Sequence, residues 1–366
     1  MLGLSNGLFY STILSFKPSQ LANLIGWWDF TDETTMYVDV DSYDTNVSSD
    51  GDSIGRIKNK CTNSNRLGDY LRSPTDSKRP TWNTGGVPGY TRNRTTYGIF
   101  DGSDDVLIGS QNRDIGSGTN QAYFLNGGGV GSTSGSNTTA KFSDAVITPN
   151  NISVIIVAAS DETVDDSDTD RNIIQIVGHT DGDTGDTGST SLEFFQFADS
   201  GGIGAIDGSP TSVAEGDYAA FFKEGGVPQD WIYSGGAFYA SAYGVRMYSM
   251  IAAPGSSNTK LYVGGNYVDG TATWVNDNSK TIEFNRPYTI DVDGFSVNGN
   301  TGVSIGANLG AYALNIAPTS SQSLHFKGRI YEIIVINEGV SDTTRKLLHN
   351  YIRDKYYQIE AWLSGS

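Results

Sequence analysis

Apolar residues along this chain gather in short runs broken by Gly-, Ser-, Asn- and Asp-rich stretches, the pattern of strands joined by turns rather than of helices. The first convincing strand is Leu24 to Phe30, after an apolar-polar lead-in interrupted by Pro18. A second runs from Ile54 to Lys60, and residues 61 to 95 read as a long surface excursion. Tyr97 to Ile108 holds two β runs around Asp101-Gly102, which predicts a hairpin. From Gly116 to Asn137 the composition falls to Gly, Ser, Asn and Thr, and a loop is expected. Ile152 to Ala158 is almost continuously apolar and β-branched, so it predicts a central strand buried on both faces. Further strands are expected at 172–177, 191–197, 245–252, 260–263, 281–285 and 302–305. A second buried strand is expected over Tyr331 to Asn337, with Glu332 the one charge inside the run.

The sequence predicts one helix. Ser341 is its N-cap, Asp342 lies in the first turn, Leu347, Leu348, Tyr351 and Ile352 share a face, and Arg353 and Lys355 suit the C-terminal end of the dipole. No repeat of fixed period and no charged or Pro-rich linker interrupts the pattern, so a single domain is expected: an arm at 1–22, a body at 23–358 with long loop insertions around 110–245, and a tail at 359–366. A chain of 366 residues is within the reach of a large all-β unit. The 45 Gly, 20 Tyr and 15 Phe agree with short strands and turns of positive φ.

Charge narrows the partners. With 41 acidic and 24 basic residues the net charge is -17, a field that repels phosphate backbones and anionic head groups, so neither nucleic acid nor membrane is an expected partner. Cys61 is the sole cysteine, which excludes an intrachain disulfide and a cysteine-rich zinc site. The first residues carry neither a basic region nor a sustained apolar run, so no signal peptide is expected.

Several short motifs, taken in order, resemble the LamG-like branch of the concanavalin A-like lectin/glucanase superfamily. They are Gly26-Trp27-Trp28-Asp29, Ile57-Lys58-Asn59-Lys60, Arg79-Pro80-Thr81-Trp82, Phe100-Asp101-Gly102-Ser103-Asp104-Asp105 and the closing Phe326 to Asn337 run before Ser341-Asp342. The resemblance spans most of residues 24–357. It implies an all-β jelly-roll sandwich of two antiparallel sheets. Such domains occur in lectins, glycosidases, adhesion modules and structural proteins of tailed bacteriophages, and the lead-in and Gly/Ser/Asn-rich loops are closest in style to cyanophage virion proteins.

The superfamily's glucanases carry Glu-x-Asp-x-x-Glu on one strand, which sets the acids on one face. The nearest match here, Glu215-Gly216-Asp217, lacks the final acid. His179, His325 and His349 are scattered, and no nucleophile elbow or phosphate loop occurs, so no catalytic residue is expected. Two acidic loops, Asp161 to Asp170 and Asp181 to Asp186, are candidates for Ca2+, with Asp181, Asp183 and Asp186 as ligands, against the plainer reading of a solvated loop. No other cofactor is expected. An aromatic-rich stretch between Tyr218 and Tyr248 offers Trp231, Tyr233, Tyr239 and Tyr243 for a sugar or a subunit interface, against ordinary packing.

The sequence therefore leads to a non-enzymatic virion structural or decoration protein, located in the virion and assembling through its arm and loops with other virion proteins or as a homo-oligomer. The alternative is a lectin-like module for host surface glycans, and a divergent glycoside hydrolase comes third.

Overall fold

The computed structural model describes residues 16–40, 45–73, 75–84, 96–110, 112–113, 122–123, 143, 145–160, 171–179, 189–196, 218–224, 227–233, 245–254, 259–264, 266–268, 272–273, 282–283, 302–307 and 325–356. Asp181, Asp183, Asp186, Tyr239, Tyr243, Glu215, Asp217, the first fifteen residues and the tail lie outside them. Among the described residues the strands form an eight-stranded and a twelve-stranded antiparallel sheet, plus one two-stranded ribbon. The two large sheets make a sandwich, as the motif order implies.

Strand Ile152–Ser160 lies at the heart of the eight-stranded sheet, paired on one side with Arg246–Ala252 and on the other with Lys327–Ile336. Its side chains alternate between two cores. Ile152, Val154, Ile156 and Ala158 enter the core between the sheets, while Ile155, Val157 and Ala159 enter a second core on the outer face. A strand buried on both faces gains nothing from polar alternation, hence the continuous apolar run. Strand Leu24–Asp29 also pairs with Lys327–Ile336, so Trp28 faces the inter-sheet core and Trp27 the outer one.

The outer core is sealed by the helix Asp342–Lys355, capped as expected by Ser341, whose side chain accepts from Thr344 N. Leu348 and Ile352 are buried beneath it, whereas Leu347 is 42% exposed and lies off the packed face. The end of the lead-in closes over the same layer, with Phe16 and Leu21 packed against it.

A polar clasp ties helix to sheet. Glu332, opposite Asp29, is fully buried. Its Oε1 accepts from Trp27 Nε1 at 2.6 Å and Tyr351 OH at 2.8 Å, and its Oε2 from Lys355 Nζ and Tyr356 OH at 2.9 Å each. Lys355 also meets Asp29 at 2.7 Å, and Lys60 bridges Asp29 and Asp32 at 2.8 and 2.7 Å. Burial pushes the Glu332 carboxyl up while Lys355 opposes it. Burial acts in the same upward direction on Asp29, but Lys355 and Lys60 overcome it and hold that carboxyl at about 2.

Two expectations are corrected. Residues 61–95 are not a surface excursion throughout: strands Tyr70–Arg72 and Thr81–Asn83 lie there, and Cys61, Leu67, Leu71 and Trp82 are buried. Three-residue strands are too short to show a period. Asn59 pins the start of this segment, its Nδ2 donating to the carbonyls of Ile25, Leu67 and Gly68 and its Oδ1 accepting from Trp27 N and Cys61 N.

Nor do the runs around Asp101-Gly102 form a hairpin. Tyr97–Asp101 pairs with Lys327–Ile336 and Thr81–Asn83 in one sheet, whereas Leu107–Ser110 pairs with Gly302–Ile305 and Tyr70–Arg72 in the other. Phe100 and Leu107 both enter the inter-sheet core, so the turn folds across the sandwich instead of within a sheet. Gly102, at φ 79°, supplies the left-handed residue. Asp101 Oδ1 accepts from Ser103 N and Asp104 N, and Asp105 Oδ2 accepts from Asp101 N.

Two predictions follow from this packing. Glu332→Gln removes the charge that holds Lys355, Tyr351 and Tyr356, and should cost about 3 kcal/mol in chemical denaturation, the scale of a broken buried ion pair. Burial, with the nearby Asp101 and Asp104 carboxylates, raises Asp105 from 3.8 to about 7. The folded state therefore holds this proton more tightly than the unfolded chain, and the associated stability, complete below pH 4, is lost as pH rises through 7. Asp105→Asn should raise the melting temperature in EDTA at pH 8 and leave it nearly unchanged at pH 4; an equal loss at both would contradict this account.

Candidate functional site

The two sheets differ in what they set on their outer faces. The eight-stranded sheet carries the apolar core under the helix. Across the twelve-stranded sheet, one cross-strand row runs Arg56, Arg72, Ile108, Ser304, Gln175, Glu193, Phe221 and Trp231, each opposite the next. Their neighbours along the strands, Ile57, Leu71, Leu107, Ile305, Ile174, Ile176, Leu192 and Phe194, belong to the inter-sheet core. Side chains alternate along a strand, so Arg56, Arg72, Ile108, Ser304, Gln175 and Glu193 lie on the face turned away from that core.

Polar members of this row are buried. Gln175 and Ser304 are 0% exposed and Glu193 is 1% exposed. Glu193 Oε1 accepts from Gln175 Nε2 at 2.8 Å and from Ser191 Oγ at 2.7 Å, and Ser304 Oγ donates to Ala307 O at 2.8 Å. At the other end Arg56 and Arg72 both donate to Val40 O. The result is a layer of buried polar groups hydrogen-bonded within the protein on the side of the sheet turned away from the inter-sheet core.

Trp231 and Tyr233 fall in strand Val227–Tyr233 of this sheet, with Trp231 opposite Phe221 and Tyr233 opposite Ala219. The aromatic stretch is therefore in part a regular pair of strands continuous with the rest of the sheet. The signal for Gln175 and Glu193 in the sequence is local: Gln175 stands between Ile174 and Ile176, and Glu193 between Leu192 and Phe194.

Other candidates are placed elsewhere. The carboxylates of Asp101, Asp104 and Asp105 gather within 4.8 Å, the one such acidic group among the described residues, but the turn's own amides already engage Asp101 and Asp105. A Ca2+ ion there would draw on three carboxylates of one turn. The paired carboxylates Asp29 and Glu332 resemble a catalytic pair only in their adjacency, because lysines, tyrosines and an indole occupy their oxygens. His349 sits on the helix, 3.1 Å from Ser249 Oγ, and burial with Arg345 nearby lowers its imidazole to about 4. His325 forms an isolated bridge with Asn172, and His179 ends strand Arg171–His179. Cys61 is buried, its thiol pushed up by desolvation and directed to Leu24 O.

No protein-family model and no curated protein matches the chain. Among solved structures it is similar to the CBM40 domain of Ruminococcus gnavus IT-sialidase, at 11% identity over 55% of this chain and 84% of that one, with a TM-score of 0.33. It is similar to NanB sialidase from Streptococcus pneumoniae at 13% identity over 55% of this chain and 26% of that one, TM-score 0.31, and to Trypanosoma rangeli sialidase at 9% identity over 92% and 33%, TM-score 0.38. The chain spans about a quarter of NanB. Superpositions this loose carry no argument about activity or ligand.

Proposed function

We propose that this chain is a carbohydrate-binding module whose ligand lies along the outer face of the twelve-stranded sheet, and that it binds without hydrolysis. One observation carries the reading: the outer face of one sheet is apolar and closed by a helix, while that of the other is planted with Arg56, Arg72, Ser304, Gln175 and Glu193. These polar groups are buried and hydrogen-bonded within the protein, so they support that face, and direct contact with the ligand is assigned to aromatic residues of the same sheet. A saccharide matches, because its apolar ring faces stack on aromatics such as Trp231. The resemblance to a superfamily rich in lectins agrees.

Hydrolysis calls for two carboxyl groups at a set separation, about 5 Å in retaining enzymes. Glu193 is the one acid in this row, which favours binding over cleavage.

The test is a glycan array with the purified full chain. Saturable retention of a defined set of glycans is expected, without release of reducing sugar. Trp231→Ala should weaken retention about tenfold or more, as loss of a stacking face does. Retention unchanged in that variant would remove this face from the binding site.

A further inference from the structure

The helix Asp342–Lys355 is tied down at both ends. Before its first turn, Gly339 N donates to Asn151 Oδ1 and Val340 N to Ser153 Oγ, and its last turn is held by the Glu332 clasp. Between these ties stands His349, with Nε2 3.1 Å from Ser249 Oγ and Nδ1 3.2 Å from an Arg345 guanidinium nitrogen. A guanidinium only donates, so Nδ1 accepts with its lone pair and the ring proton lies on Nε2, where it donates to Ser249. The contact therefore requires the neutral imidazole.

Arg345 is fixed in this place. Its guanidinium donates to Asp342 Oδ1, with Nε at 3.0 Å, and lies over the Tyr262 ring, 4.4 Å from the centroid. Tyr262 also meets the imidazole edge-on at 5.5 Å. Ser249 stands between Met247 and Ile251 of the outer core, opposite Tyr262 on one side and Ile155 on the other. Among the described residues, the helix presents Arg345 and Asp342 to the ring, and Lys346 also pairs with Asp342. Strand Lys260–Val263 presents Tyr262, with Lys260 two residues along the same face, and strand Arg246–Ala252 presents Ser249, with Arg246 on its opposite face. A proton on Nδ1 would replace an acceptor with a second cation against Arg345, on a half-buried ring. Leu348, the next residue back, is fully buried in the outer core.

We propose that the contact of His349 with Arg345 and Ser249 is an acid-sensitive latch, which keeps the helix closed over the outer core at neutral pH and opens it when the imidazole is protonated. Burial and the Arg345 charge hold the ring at about 4, against 6.5 for a free histidine. The open helix thus binds the proton more readily than the closed one, so closure is complete above pH 6.5 and weakens as pH falls towards 4. Asp342 and Asp29 titrate at about 2, so their ion pairs persist through this window. Burial raises Glu332, which acts in the opposite direction and is common to wild type and the variant below.

The test is hydrogen exchange on the full chain at pH 7 and pH 5, corrected for intrinsic rates, comparing helix amides Leu347 to Ile352 with those of strand Ile152–Ser160. In wild type the opening constant of the helix should rise about tenfold from pH 7 to pH 5, and that of the strand should not follow. His349→Gln offers Arg345 and Ser249 a neutral acceptor and donor, so its helix should open no more at pH 5 than at pH 7. An equal rise in the variant, no rise in wild type, or a rise shared by the strand would each overturn the latch. If the variant does not fold, the wild-type ring decides by NMR titration, assigned through its contact with Tyr262. A midpoint below about 5 supports the latch, and one above that overturns it.

Discussion

Everything in this sandwich is built around two neighbouring strands, Ile152–Ser160 and Lys327–Ile336, whose side chains are buried on both faces. A sheet with such a centre must be covered twice. The second sheet provides one cover and the C-terminal helix with the end of the lead-in the other, so elements far apart in sequence are obliged to meet there. Burial of the apolar side chains supplies the driving force, and register supplies the specificity, since a slip of one residue would exchange the contents of the two cores.

The clasp at Glu332 follows from the same obligation. The helix must be held in one orientation over an apolar surface that would accept several. Buried ion pairs contribute little net stability against apolar replacements, yet one carboxylate that takes an indole, two phenols and an ammonium defines a single arrangement. Asp29, Lys60 and Asp32 extend the network to the loop that Asn59 organises. The motifs Gly26 to Asp29, Ile57 to Lys60 and the closing strand thus meet around one buried polar cluster, which gives their order in the sequence a physical meaning.

The outer face of the other sheet is the converse case. Its strands keep the apolar alternation on the inner face and are released from it on the outer one, where the buried Gln175, Glu193 and Ser304 are satisfied by hydrogen bonds within the protein. Departures of this kind are where a site is expected on an otherwise consistent scaffold.

The amino-acid pattern by itself determined the β class, the doubly buried strand at Ile152, the strands at Asn172, Ser191, Lys260 and Gly302, and the C-terminal helix with its Ser341 cap. These are matters of local period and capping chemistry, which depend on few residues. Tertiary structure alone decided that Asp101-Gly102 crosses between sheets, because turn chemistry specifies a reversal and not the partners of the strands it joins. It also decided that Tyr70–Arg72 and Thr81–Asn83 are strands, since three residues carry no readable period. The polar row joins Arg56 to Trp231 across eight strands scattered through the chain, and it exists only once pairing sets their register. A row assembled in that way draws its polar residues from separate strands, and only the hydrogen-bonded ladder shows that they are neighbours.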